Sequence, residues 1–140
     1  MVDVGSVREQ TWTVEGSHLA SAFGSGLVEV LATPVLVGFC EECARRLVEP
    51  GLEPGQKTVG ASICLEHVAA TPPGLAVTVR AELTEVDGRR LTFRIEARDD
   101  VEVVGRATHV RYVIDAARFE AKVAGKAAQA RTDGTAANAV

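Results

Sequence analysis

The stretch that decides the fold is Thr33-Pro34-Val35-Leu36-Val37-Gly38-Phe39-Cys40-Glu41-Glu42-Cys43-Ala44-Arg45-Arg46-Leu47-Val48-Glu49. Threonine is a favoured N-cap and proline is favoured at the first helical position, so a helix is predicted to open at Thr33-Pro34. Pro50-Gly51 and then Pro54-Gly55 stop it, giving one long helix over about residues 33–49. On a helical wheel Val37, Cys40, Ala44 and Val48 share a stripe, with Leu36 and Leu47 beside it. Glu41 borders that stripe. Glu42 points to the other side with Arg45, Arg46 and Glu49, where it can pair with Arg46 at i,i+4.

Upstream, residues 7–15 read as a short strand around Trp12 and Val14, and residues 16–28, with Gly16, Gly24 and Gly26, as a flexible connection. Downstream, strand patterns cover 57–70, 75–86, 89–98 and 101–114. Thr71-Pro72-Pro73-Gly74 separates the first two, Asp87-Gly88 is a hairpin signal, and Asp99-Asp100 makes a further tight connection. Residues 115–126 read as a short helix, and 127–140, rich in Ala, Gly, Thr and Asn, as a disordered tail. Short connections favour an antiparallel meander over parallel units. The expected class is α+β: an antiparallel sheet wrapped around one long central helix, forming a single domain over residues 1–126. One helix cannot cover such a sheet on both faces. A homodimer is the natural remedy for what is left exposed.

The 140 residues fit one domain, and with 46% hydrophobic and 24% charged residues a packed core can form. A formal net charge of −4 argues against a sequence-independent nucleic-acid binder. No apolar run is long enough for a membrane span, and Met1-Val2-Asp3-Val4-Gly5 lacks signal-peptide character, so the expected setting is cytoplasmic. Cys40-Glu41-Glu42-Cys43 has redox or zinc spacing, but it falls inside a helical pattern, and Cys64, His67, His109 and His18 supply no second ligand pair. Two small apolar residues on a packed helix is the simpler reading.

Two polar residues break apolar patterns. Glu41 is a carboxylate at the edge of the core, which either reaches water at the stripe's margin or serves a functional site. In strict alternation Val59, Ala61, Ile63, Leu65 and His67 share one strand face, and Thr58, Gly60, Ser62, Cys64 and Glu66 the other. His67 therefore continues a face expected to pack on the helix. A Glu and a His aimed at one helix–sheet interface supply a base and an acid, or a nucleophile and its partner, unless they form only a buried polar pair.

At these residues the sequence resembles the hot-dog-fold acyl-CoA thioesterases, and most closely the fluoroacetyl-CoA thioesterase group. The resemblance runs from about Leu31 to Val123. It rests on Ala32-Thr33, Val37-Gly38, Glu41, Leu52-Glu53-Pro54-Gly55, Gly60, Ile63-Cys64, His67, and the run Ala69-Ala70-Thr71-Pro72-Pro73-Gly74-Leu75. Gly88-Arg89-Arg90-Leu91, Thr108-His109 and Phe119-Glu120-Ala121-Lys122-Val123 extend it.

The resemblance implies hydrolysis of a small acyl-CoA to the acid and free CoA, with no metal and no cofactor beyond the CoA of the substrate. It assigns catalysis to Thr33, Glu41 and His67, and carbonyl polarisation to the backbone N–H of Gly60. Glu41 would be nucleophile or base, His67 its acid–base partner, and Thr33 a positioning group at the helix N-terminus. The family's two lid phenylalanines correspond to Gly24 and Leu27, with Phe23 displaced by one, so Phe23 and Leu27 are the candidates for covering the acyl group. Arg89 and Arg90, on the hairpin, are candidates for the CoA phosphates. The family's sites usually lie between subunits, which fits the predicted homodimer.

The other readings are a non-catalytic acyl-CoA or small-ligand binding module and a purely structural dimer. A hydratase of the same fold class would need an Asp and a His five apart at the helix start, and Thr33 to Gly38 offers neither.

Overall fold

A computed structural model describes residues 2–138, and side chains as far as residue 133. In chain order the elements are β1 (Val7–Thr13), α1 (Ala20–Phe23), α2 (Thr33–Val48), β2 (Gln56–His67), β3 (Ala76–Asp87), β4 (Arg90–Arg98), β5 (Val103–Asp115) and α3 (Ala116–Asn138). The strands form one antiparallel sheet in the order β1-β3-β4-β5-β2, and α2 lies against all five of them. This is the expected α+β architecture.

The helix buries Leu36, Phe39, Cys40, Cys43, Ala44 and Val48. The stripe is thus turned from the predicted one toward Phe39 and Cys43, while Val37 stays half-buried. Trp12 of β1 causes the turn: its ring stacks on Phe39 with centroids 4.4 Å apart and planes 5° from parallel. Opposite the helix, Val77, Val79, Ala81 and Leu83 of β3 and Leu91, Phe93, Ile95 and Ala97 of β4 alternate inward. Leu36 is fully buried and passes close over β5, where a Cβ on Gly105 would stand 3.0 Å from Leu36 Cδ2. Truncating a leucine so placed costs about 2–5 kcal/mol.

The turn between β3 and β4 holds Gly88 at φ 60°, a left-handed conformation that only glycine adopts without strain, and pairs Asp87 with Arg90. The segment 16–28 is more ordered than its glycine content suggests. It forms a 3-10 turn at Gly16–His18 and then α1, which ends on Gly24 at φ 96°.

Two sequence expectations are corrected. Strict alternation fails in β2, because Gly60 pairs with Arg111 and Ser62 with Val110, leaving Ala61 as an extra residue in a β-bulge. Thr58 and Gly60 therefore face the helix together with Ile63, Leu65 and His67, not away from it. The second correction concerns the tail. Helix α3 continues through residues 127–138, and residues 139–140 lie outside the described residues. From Ala117 to Asp133 every α3 side chain is exposed, and the contacts of the helix with its own chain include its start beside β5 and an ion pair of Glu120 with Lys57. No described helix is long and apolar enough to cross a membrane.

Candidate active site

Thr33 does not cap α2, contrary to the sequence reading. The N-cap is Ala32, whose carbonyl accepts the N–H groups of Val35 and Leu36. That leaves the Thr33 hydroxyl free for another partner: Thr33 Oγ1 lies 2.8 Å from His67 Nδ1 and joins the first turn of α2 to the last residue of β2. Backbone bonds fix the approach to this point. Leu31 N–H donates to the Thr71 carbonyl and Ala32 N–H to the His18 carbonyl. Thr71 itself is fully buried, and its hydroxyl donates to Asp99 Oδ2.

His67 is half-buried, and its Nε2 is buried without a hydrogen-bond partner. Burial lowers its pKa below the ordinary histidine value, and the Ala69 backbone offsets only part of this. The ring is therefore neutral near pH 7. Thr33 and His67 line a cavity of about 340 Å³ with Ala20, Ser25, Val30, Leu31 and residues 68–70. A neutral imidazole, a hydroxyl and an unmatched ring nitrogen beside a cavity are groups whose chemistry suits proton transfer.

Glu41 is held elsewhere. It lies at the margin of the buried stripe, where its half-exposed carboxylate sits 3.7 Å from Arg111 Nη1. Arg111 is buried and fixed by β2: Nε donates to Thr58 Oγ1 at 2.9 Å and Nη2 to the Thr58 carbonyl at 3.0 Å. His109, also buried, approaches Arg111 Nη1 through Nε2 at 3.4 Å, and its Nδ1 lies 2.7 Å from the Ser62 carbonyl. Gly60 completes the group, because a Cβ there would stand 2.8 Å from Glu41 Oε2. Among the described residues no hydrogen bond joins Glu41 to Thr33 or His67, so one chain holds two separate clusters.

Glu42, expected on the solvated side, does pair with Arg46 at 3.8 Å, but it also accepts a hydrogen bond from Gln10 Nε2 of β1. Cys40 and Cys43 are buried free thiols, as the simpler reading expects. Burial, then Cys43 and Glu41, pushes the Cys40 thiol up to about 12, which makes it inert. Phe23 and Leu27 are 57% and 96% exposed, and neither lines the cavity beside His67. Arg89 and Arg90 are exposed on the β3–β4 hairpin, and the pairing of Arg90 with Tyr112 puts them at the Gly60 end of the sheet, away from His67.

Sequence reasoning gives Arg111 no role, and His109 only as part of the resemblance and as a metal ligand without a matching pair. Its missed signal was an arginine and a histidine two apart on an inward-facing strand row. Among the described residues no three His, Cys, Asp or Glu side chains cluster as a metal site. The larger cavity, about 610 Å³, lies on the outer sheet face among Arg80, Arg94, Arg106, Glu66 and Glu96.

Residues 14–117 match the family described as fluoroacetyl-CoA-specific thioesterase. A fluoroacetyl-CoA thioesterase from Streptantibioticus cattleyicolor is 52% identical over 95 residues, 68% of each chain. A solved fluoroacetyl-CoA thioesterase superposes with a TM-score of 0.86 at 40% identity, covering 90% of this chain and 98% of that one. A phenylalanine-to-alanine mutant of it, in complex with fluoroacetate and CoA, gives 0.80 at 40% identity, with coverages of 84% and 99%. A thioesterase-superfamily protein from Thermus thermophilus, 23% identical, shares the fold with a TM-score of 0.88 over 94% of this chain and 98% of its own.

Proposed function

The chain belongs to the fluoroacetyl-CoA-specific thioesterase family and is a thioester hydrolase of the hot-dog fold, and from that premise we propose that it hydrolyses a small acyl-CoA, fluoroacetyl-CoA foremost, through Thr33, His67 and Glu41. The observation that carries this reading is the Thr33–His67 pair, with a neutral ring and an unpartnered buried Nε2 beside a cavity. Water supplies OH to the acyl carbon and H to the leaving thiolate. Glu41 either attacks that carbon first or takes the proton from water, and His67 moves the proton that the thiolate needs. Thr33, in the first turn of α2, orients the ring and the carbonyl. The reaction as proposed uses no metal, and CoA enters only as part of the substrate.

The two clusters meet if two copies associate. Thr33 and Glu41 are eight residues apart on α2, about 12 Å along its axis. Gly60 and His67 are about 20 Å apart along β2. The outer edge of β2 is unpaired and its centre, residues 60–62, is exposed. Antiparallel pairing of two β2 edges, centred between Ile63 and Cys64, would set Gly60 of one copy opposite His67 of the other. We propose a homodimer of this kind, with Glu41 from one chain and Thr33 and His67 from its partner at each site. The three unpaired cysteines support a cytoplasmic setting.

Release of free thiol from a panel of acyl-CoAs tests the activity, and release no greater than that of Glu41→Gln overturns it. Mixing Thr33→Ala with Glu41→Ala under conditions that exchange subunits tests the shared site. Heterodimers should regain activity, because one of their two sites carries both wild-type residues. Activity that stays at mutant level despite proven exchange places both residues in one chain.

A further inference from the structure

We propose that the first half of α3 docks on a second copy of the chain, where Phe119 and Val123 cover the partner's Thr33–His67 cavity. The proposal rests on the homodimer read above, in which two β2 edges pair. A helix in water owes most of its stability to packing an apolar face. On α3 that face is left open, with Phe119 38% and Val123 52% exposed. The chain holds the helix at its root: Ala116 N–H donates to the Gly55 carbonyl, and Glu120 lies 3.9 Å from Lys57 of β2. Glu120 thus marks the side turned to β2. At 100° per residue Val123 lies about 60° and Phe119 about 100° round the helix from it, with Lys126 and Lys122 on their far side.

The strand register puts this face near the partner. Asp115, the residue before α3, pairs with Gln56 at the start of β2. Gln56 lies four residues before Gly60, which the proposed dimer sets opposite the partner's His67, so the partner's residues 68–71 run alongside the start of β2. Two strand spacings, about 10 Å, separate that segment from the end of β5, and a helix with its side chains is about as wide. The cavity offers a matching surface. In each chain Val68 is a cavity wall yet 49% exposed, and Val28, two residues before the wall residue Val30, is 67% exposed. Charge agrees. Between Arg8 and Arg45, and again between Lys57 and Arg80, the segments that build the cavity hold six glutamates and no lysine or arginine. From Ala116 to Asp133 the helix carries four cations against two acids. In a chain of net charge −4, that separation steers a basic helix toward an acidic neighbour.

The test mixes two differently tagged chains, Phe119→Cys and Val68→Cys, under conditions that exchange subunits. Both carry Cys64→Ser, which removes the exposed thiol, while Cys40 and Cys43 are buried. Each variant is first shown to melt as the parent does. An ethylene-bridged bismaleimide should join the two different chains at least about tenfold faster than it does with Ala121→Cys, an exposed position about 200° round α3 from Phe119. This arm needs no turnover, so it stands apart from the activity. Kinetics of Phe119→Ala give the second reading. Apolar contacts in a binding pocket are worth about 10- to 200-fold in specificity, so KM for acyl-CoA should rise about tenfold or more while kcat stays within a few-fold. Equal crosslinking from Phe119→Cys and Ala121→Cys in a proven dimer, or a wild-type KM in Phe119→Ala, overturns the proposal and leaves the homodimer standing. A monomer at assay concentration in sedimentation velocity would instead overturn the homodimer, and the docking with it.

Discussion

Gly60 and Glu41 occupy the same small volume from opposite sides: the position of a Cβ on the one is 2.8 Å from a carboxylate oxygen of the other. Real Cβ atoms do not approach an oxygen so closely. The absence of a side chain in β2 is what lets the carboxylate of α2 come down to the strand backbone.

Gly60→Ala should therefore displace Glu41 and lower kcat by about tenfold or more, with melting temperature nearly unchanged because Glu41 can swing into water. Gly105→Ala is the contrast. Its methyl would press on the buried Leu36 at 3.0 Å, so stability should fall and kcat of the folded fraction should hold. Thiol-release kinetics and thermal melts on both variants separate the two effects.

Thr33→Ser keeps a hydroxyl within reach of His67 Nδ1 and should retain activity within a few-fold. Thr33→Val, of similar shape, leaves the ring without that partner and should lose about 10- to 100-fold in kcat. Equal activities for Ser and Val variants would show that the hydroxyl does not take part.

Stability should fall on the acid side of neutrality. Burial is the first cause that lowers the pKa of both His67 and His109 from 6.5, with Arg111 adding to the effect at His109 and Glu41 and the Ser62 backbone opposing it. The unfolded chain takes up protons near 6.5, whereas the native rings take them up only at lower pH. Falling pH therefore favours unfolding: the contribution is complete above 6.5 and is lost as pH drops through the native values. Melting temperature should be flat from about pH 8 to 7 and decline below 6.5, and His109→Gln should show a shallower decline.

Thr71→Val removes the hydroxyl that donates to Asp99 Oδ2, at a site with no exposure. Asp99 keeps the N–H groups of Val101 and Glu102 and some access to water, so the cost should be about 1 kcal/mol, read from urea unfolding. A larger loss would mean that the Leu31 bond to the Thr71 carbonyl, and with it the approach to Thr33, had shifted too.

Ending the chain after Lys126 removes helix whose side chains are exposed as far as they are described, to Asp133, and should leave melting temperature and kcat close to wild type. A large drop in either would place the domain boundary beyond residue 126 and give the distal part of α3 a partner.

Most of the architecture was legible in sequence because its signals are local: proline after threonine at the start of α2, Asp87-Gly88 in the hairpin, alternation along β3 and β4. Four features were not. The cap position moved from Thr33 to Ala32 because the threonine hydroxyl has a tertiary partner, His67, which no local rule weighs. The stripe of α2 turned toward Phe39 because Trp12, 27 residues earlier, stacks on it. The Arg111–His109 cluster stayed hidden because each residue looks like a solvated strand charge until Glu41 and Thr58 are brought over it. Helicity past residue 126 was missed because small and polar residues give no amphipathic stripe, and the side chains described there, to Asp133, are all exposed.

The bulge at Ala61 also carries a counting rule. Gly60 and His67 are seven positions apart, an odd spacing that in a regular strand sends two residues to opposite sides. Here the inserted alanine makes the odd spacing behave as an even one. A chain that keeps this site on an uninterrupted strand must carry its glycine six residues before its histidine. Deleting Ala61 from this one would restore that spacing, whereas deleting any residue from Ile63 to Leu65 would send His67 to the outer face and away from Thr33.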